Sequence, residues 1–157
     1  MKATLLLIGK TESAYLKDGI KIYTDRLKHY INFEIIEIPA LKNNKNMSTD
    51  QQKEAEGALI LSKIAPTDEV WLLDENGKHY SSEGFADVLD RKISMGTKNI
   101  VFVVGGPYGF SAKVYQSAAA LLSLSSMTFS HQMVRLIFTE QLYRAMTIIK
   151  GEPYHHK

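Results

Sequence analysis

The run Asn99-Ile100-Val101-Phe102-Val103-Val104-Gly105-Gly106-Pro107-Tyr108-Gly109 decides the fold. Its first six residues form a short, β-branched apolar run. Such a run bounded by turn residues reads as a buried strand. The glycines that follow let backbone amides come close to a ligand at the strand's carboxyl end. Working outward, similar short runs alternate with longer stretches of helical period. Ala3–Ile8, Phe33–Ile38, Val70–Leu73 and Leu121–Leu124 read as further strands. Thr11–Tyr30 reads as a helix, with Tyr15, Leu16, Gly19, Ile20, Tyr23 and Leu27 at helical spacing. Ser48 or Thr49 with Gln51 or Gln52 looks like a capping box for a helix running to about Ile64. Asp74-Glu75-Asn76-Gly77 is a turn signal. Ser81 or Ser82 caps a helix ending near Gly96, Ser111 caps a short one, and His131–Ile149 is the last.

The resulting β-α alternation predicts a parallel α/β sheet with helices on both faces. Ligands in such sheets sit beyond the carboxyl ends of the strands. The loops after Leu73, Val104 and Leu124 leave such ends, so layout alone nominates them as the pocket. The final helix is apolar around most of its circumference: Met133, Val134, Leu136, Ile137, Phe138, Leu142, Met146, Ile148 and Ile149. A helix of that kind needs cover on more than one side, which points to a second copy of the chain and hence a homodimer.

The totals set outer bounds. A chain of 157 residues is one domain on length, and 45% hydrophobic with 23% charged residues is ordinary globular composition. The absence of cysteine excludes disulfide scaffolds, thiolate metal sites and cysteine nucleophiles. No apolar run reaches a membrane span, and the apolar start is too short for a signal peptide, so a cytoplasmic protein is expected. A formal charge of +2 permits a nucleic-acid substrate without requiring one.

The chemistry-bearing residues cluster late in the chain, and each has a plain structural alternative. Gly105–Gly109 lacks the pattern of a dinucleotide or Walker loop; it is a tight turn or a close approach to a ligand. Leu124, Ser125, Ser126, Met127, Thr128 and Phe129 offer hydroxyls and amides to a small polar molecule such as a nucleoside, or form a plain loop ending in the helix cap Ser130. His131 stands where the helix dipole favours a neutral imidazole. Glu140 and Arg144, spaced i, i+4, either pair with each other or leave the arginine to grip phosphate. Arg135 is a further charge on the same apolar helix. Tyr154, His155 and His156 form a tail that is either disordered or stacks on unpaired bases. No HExxH, GxSxG or acidic metal cluster is present, so no metal is expected.

Four stretches in order resemble one family: Val70–Lys78 (VWLLDENGK), Phe102–Phe110 (FVVGGPYGF), Leu122–Ala145 (LSLSSMTFSHQMVRLIFTEQLYRA) and Gly151–Lys157 (GEPYHHK). Leu5–Lys10 and Phe33–Ala40 fit as well. The set is similar, end to end, to the ribosomal large-subunit methyltransferase H family. The resemblance implies a SPOUT-class α/β-knot fold, one domain over 1–157 with a trefoil knot within roughly 70–157. It implies a homodimer that uses S-adenosylmethionine to methylate N3 of a pseudouridine in 23S rRNA of the assembled ribosome. It assigns cofactor contacts to Leu73, Gly105 and the run Leu124–Phe129. It associates His131, Glu140, Arg144, Tyr154 and His155 with substrate or catalysis. His155 is then the first choice of proton acceptor and His131 the second, with Tyr154 and His155 ordering on binding. Ser130 stands where the family usually has proline, and His156 duplicates the preceding histidine. The alternative function is a non-catalytic RNA- or ribosome-binding α/β module.

Overall fold

Alternation of short apolar runs with helical patterns builds a three-layer α/β/α arrangement, seen in a computed structural model that describes residues 1–156. Lys157 lies outside the described residues. The strands are β1 (Lys2–Ile8), β2 (Asn32–Ile38), β3 (Glu69–His79), β4 (Asn99–Val104) and β5 (Ala120–Ser123). The helices are α1 (Ala14–Leu27), α2 (Thr49–Leu61), α3 (Ser82–Ser94), α4 (Ala112–Ser117) and α5 (Met133–Ile149). The strands form one sheet in the order β2-β1-β4-β3-β5, and every pairing is parallel. The expected α/β class with a parallel sheet and helices on both faces therefore stands.

Successive residues of a strand face opposite sides, and the core divides accordingly. Leu5, Leu7, Trp71, Phe102 and Val104 pack with Leu27 of α1, Phe85 and Leu89 of α3, and Phe138, Leu142 and Met146 of α5. Leu6, Ile8, Val70, Leu72, Val101 and Val103 pack with Ile60 of α2 and Val114 of α4. β4 lies at the centre of the sheet, buried on both faces, as its unbroken apolar run requires.

Boundaries depart from the sequence reading at identifiable places. Helix α1 is Ala14–Leu27 rather than Thr11–Tyr30, and β5 starts one residue earlier than expected. Ser48 and Gln51 do form a full capping box, but α2 ends at Leu61 rather than near Ile64. Asp74–Gly77 does not end its strand. The chain bulges there, Asp74 Oδ1 accepting from the Asn76 amide at 2.8 Å, and then rejoins β5 at Lys78 and His79. The turn chemistry is real, but a bulge satisfies it. The return brings Gly77 flat against β5: a Cβ there would lie 2.6 Å from backbone atoms of Leu122.

Helix α5 starts at Met133, not His131. Ser130 supplies the cap: its Oγ accepts from the Met133 amide at 3.1 Å and its carbonyl from the Val134 amide at 3.0 Å. Serine in place of proline thus keeps the helix start intact. Arg135, only 1% exposed, fixes that start in space. Its Nη2 donates to the Ile8 carbonyl at 2.7 Å. Its Nη1 donates to the Gly9 carbonyl at 3.0 Å and to Thr11 Oγ1 at 3.1 Å, and its Nε to the His131 carbonyl at 3.2 Å. Burial pushes its pKa down, partly opposed by Glu37 and Glu12. Gln132 adds a second tie, accepting from the Glu12 amide and donating to the Lys10 carbonyl. Replacing Arg135 by leucine strands these buried acceptors without water. Arg135→Leu should lower unfolding free energy by about 3 kcal/mol, measured by urea denaturation, and Arg135→Lys should recover only part of it. A leucine variant as stable as the parent would refute the clamp.

Candidate active site

At the carboxyl ends of β4 and β5 and the bulge in the middle of β3, the sheet opens into a cavity of about 580 Å3. That size suits a nucleoside-sized ligand. Leu73, Gly105, Leu124, Ser125, Met127, Thr128 and Phe129 border it, as do Asp74, Gly106, Tyr115, His131 and Val134. Of the cofactor contacts assigned by resemblance, Ser126 alone is outside the lining; it is exposed.

Each wall has a local cause. After β4, Gly106-Pro107-Tyr108-Gly109 is a tight turn closed by the Gly109 amide to the Gly106 carbonyl at 3.2 Å, with Gly109 at φ +81°. That φ favours glycine at the position. After β5, Ser123 Oγ donates to the Ser125 carbonyl at 3.0 Å, and Ser125 Oγ accepts from the Met127 amide at 2.9 Å. These two bonds curl the 124–129 loop around the cavity. On the β3 side, Asp74 Oδ2 accepts from the Tyr115 hydroxyl, an arrangement that, with burial, pushes that phenol up to about 12. The lining mixes apolar surface (Leu73, Leu124, Val134) with hydroxyls and backbone groups. It fits a ligand with a flat heterocycle and a polar sugar. Among the described residues, no cluster of His, Asp and Glu suits a metal ion.

Glu140, Arg144, Tyr154 and His155 form a second cluster that does not border the cavity. Arg144 donates to Glu140 Oε1 through Nη2 at 2.6 Å and Nε at 3.1 Å, and that bond above all holds its pKa further up. The Tyr154 hydroxyl donates to the same oxygen at 2.9 Å. The Tyr154 ring meets Tyr143 edge-on at 4.7 Å, and the Arg144 guanidinium lies 4.6 Å from the Tyr154 ring centre. Burial, Tyr23 and Glu140 all push the Tyr154 phenol well above its usual range, so it stays protonated at neutral pH. His155 Nδ1 lies 3.3 Å from Arg144 Nη1, and its Nε2 lies 3.4 Å from Glu83 Oε1. A neutral ring carrying its proton on Nε2 satisfies both neighbours.

The tail was expected to order on binding; here it is already folded back. Gly151 at φ +68° ends α5 in a Schellman motif, its amide bonding the Ile148 carbonyl and the Glu152 amide the Thr147 carbonyl. The signal was available as Lys150-Gly151-Glu152-Pro153, glycine just past a helix and proline beyond it. The sequence reading also missed Glu83, the anchor of His155, and the Asp74–Tyr115 pair. Nothing in spacing links residues 72 or 41 positions apart.

The two clusters stand at different levels of one helix. Ten residues separate Val134 at the cavity from Arg144, about 15 Å along the axis.

Two comparisons bear on this geometry. Residues 1–155 match the family described as Predicted SPOUT methyltransferase. The chain is also similar to proteins named Ribosomal RNA large subunit methyltransferase H. It is 57% identical to that of Christiangramia forsetii, 56% to that of Flavobacterium johnsoniae and 55% to that of Parabacteroides distasonis. Each match covers all 157 residues and the whole of both chains. Methyltransferases of this kind draw their methyl group from S-adenosylmethionine, and the cavity's mixed lining suits that donor.

One substitution tests the cavity. Ser125→Trp removes the hydroxyl that shapes the loop and fills the space beside it. Donor affinity measured by calorimetry should fall by about tenfold or more, equivalent to about 1.4 kcal/mol, with the far-ultraviolet dichroism unchanged. Undiminished affinity would place the donor elsewhere. With the donor-sized cavity at the strand ends and a family match running from residue 1 to residue 155, the chain belongs to the SPOUT methyltransferase family.

Proposed function

We propose that the protein methylates large-subunit ribosomal RNA, at N3 of a pseudouridine in 23S rRNA, and does so as a cytoplasmic homodimer acting on the assembled ribosome. The observation that carries the reading is the cavity between the β3 bulge and the ends of β4 and β5, in a chain that matches rRNA large-subunit methyltransferases over its full length. A non-catalytic RNA-binding module has no need of such a cavity. When bound, S-adenosylmethionine supplies a methyl group on a sulfonium, an electrophile that needs only an aligned nucleophile and loss of one proton.

The residues divide that work. The Gly105–Gly109 turn and Leu124–Phe129 hold the donor through backbone groups, with Leu73 as apolar wall. Arg144, Tyr154 and His155 receive the target base: the tyrosine ring stacks on it, and the guanidinium exchanges Glu140 for a phosphate or for developing negative charge on the base. Methylation at N3 would require the N3 proton to pass to a base. His155 is the first candidate, after its Nδ1 gives up Arg144; His131 on the cavity wall is the second.

A homodimer is supported by what one chain leaves undone. Met133, Leu136, Ile137 and Ile148 of α5 are only partly buried, and Tyr15 and Ile22 of α1 are 62% and 51% exposed. The 15 Å offset between clusters is closed if the tail of one protomer serves the cavity of the other. A C-terminal knot is supported by the strand order, since β5 pairs beyond β3 while α5 returns to β1 through Arg135. Among the described residues, no helix is long and apolar enough to cross a membrane.

Three outcomes are expected. Ending the chain at Pro153 removes Tyr154, His155, His156 and Lys157; methylation should vanish while calorimetry shows donor binding nearly unchanged. Full activity in the shortened protein would discard the tail's role. Methyl incorporation mapped by mass should be far greater in intact ribosomes than in free rRNA, because a net charge of +2 grips RNA weakly. Ile22→Asp should lower the light-scattering mass from two chains to one.

A further inference from the structure

Helix α2 carries one charged side chain among its buried residues. Glu56 is 5% exposed and lies with Gly57 and Ile60 on the side turned to the sheet. Its Oε1 accepts from Gln52 Nε2 at 3.2 Å, whereas Oε2 is buried and has no hydrogen-bond partner. Carboxylates are seldom buried without a paired cation, because the interior solvates charge poorly. Among the described residues, Glu56 has no lysine or arginine within ion-pair distance.

What lies over this carboxyl is the cavity wall. Gly106 borders the cavity, and a Cβ on it would stand 2.6 Å from Oε2 and 3.0 Å from Oε1. The missing side chain lets the carboxyl come up directly behind the turn, so one glycine separates it from the ligand space. Burial raises the Glu56 pKa above its usual value, opposed by the Gln52 amide and, less, by His131 on the same cavity.

We propose that Glu56 sets the charge preference of the donor pocket, its buried carboxylate favouring a cationic ligand over a neutral one. The inference rests on the donor's occupying this cavity. The donor carries a sulfonium; after transfer the product is a neutral thioether, one positive charge poorer. A carboxylate acting through one residue of protein is little screened, so it holds the charged donor more tightly and lets the spent product go. The other carboxylates at the cavity serve this purpose less well. Asp74 uses both oxygens, on the Asn76 amide and the Tyr115 hydroxyl, and Glu75 is exposed to solvent.

The test compares affinities of S-adenosylmethionine and S-adenosylhomocysteine by calorimetry on the full chain. Glutamine copies the shape of Glu56 and removes its charge. Glu56→Gln should weaken S-adenosylmethionine by about fivefold to tenfold and leave S-adenosylhomocysteine within about twofold. Equal losses for both ligands would mark Glu56 as merely structural, and no change would show that it is uncharged or too remote; either overturns the proposal. A larger loss of preference in Asp74→Asn overturns it too. Should Glu56→Gln fail to fold, the unsubstituted protein decides. A buried charge predicts a ratio of the two affinities that holds from about 0.05 to about 0.5 M salt; a ratio erased by salt assigns the preference to exposed carboxylates. Ser125→Trp separates the two failures. If it spares both ligands, the cavity assignment falls; if it abolishes both while Glu56→Gln does nothing, only the role of Glu56 falls.

Discussion

A guanidinium that forms no ion pair among the described residues holds the start of α5 against the end of β1. Arg135 is surrounded by the carbonyls of Ile8, Gly9 and His131 and the Thr11 hydroxyl. Four oriented dipoles replace the water it lost, and each of those acceptors depends on it in turn. Surface ion pairs such as Lys28 with Asp25 at 2.7 Å remain hydrated and contribute little by comparison. The consequence is positional. Helix α5 starts two residues after His131 and carries Val134 at that end and Glu140 and Arg144 farther along, so a clamp on its first turn fixes both clusters against the sheet.

The cluster at the far end of α5 is neutralised in advance. Arg144 is spent on Glu140, with side chains 24% and 18% exposed, and the Tyr154 hydroxyl and His155 are ordered by the same two charges. Any anion approaching Arg144 must therefore compete with an existing carboxylate. Such an arrangement trades affinity for selectivity: loose contact with a polyanion gains little, and only a ligand that replaces every bond it breaks is favoured.

The frame was legible because period and punctuation are local properties. Ile100–Val104 reads as a central strand since its residues are apolar on both faces, and Ser111 reads as a cap since its Oγ needs only the amide three residues on, at 3.3 Å. The loops at residues 73, 105 and 124 were nominated by layout alone. What escaped depended on partners distant in the chain. Arg135 on an apolar helix does not reveal that three of its four acceptors lie 124 to 127 positions away. Asp74–Gly77 has turn composition, but only the neighbouring β5 decides that the chain rejoins the sheet. Glu56 sits in the polar run QQKEAE and resembles a solvated face; the hint was its i, i+4 step to Ile60. The resemblance to a family supplied the donor and the target, which no period or spacing encodes.

The glycines of this fold divide by what surrounds them. A Cβ at Gly19 would press on the Leu136 side chain, and one at Gly105 on the Phe110 ring. In both places a smaller neighbour makes room, so a damaging substitution has a possible second-site suppressor. The three atoms nearest a Cβ at Gly77 are all main chain, of Leu121 and Leu122, and no exchange of side chains shortens a backbone. Where β3 rejoins β5, a side chain at this position therefore meets a clash that no neighbouring side-chain exchange relieves, although the position does not border the cavity.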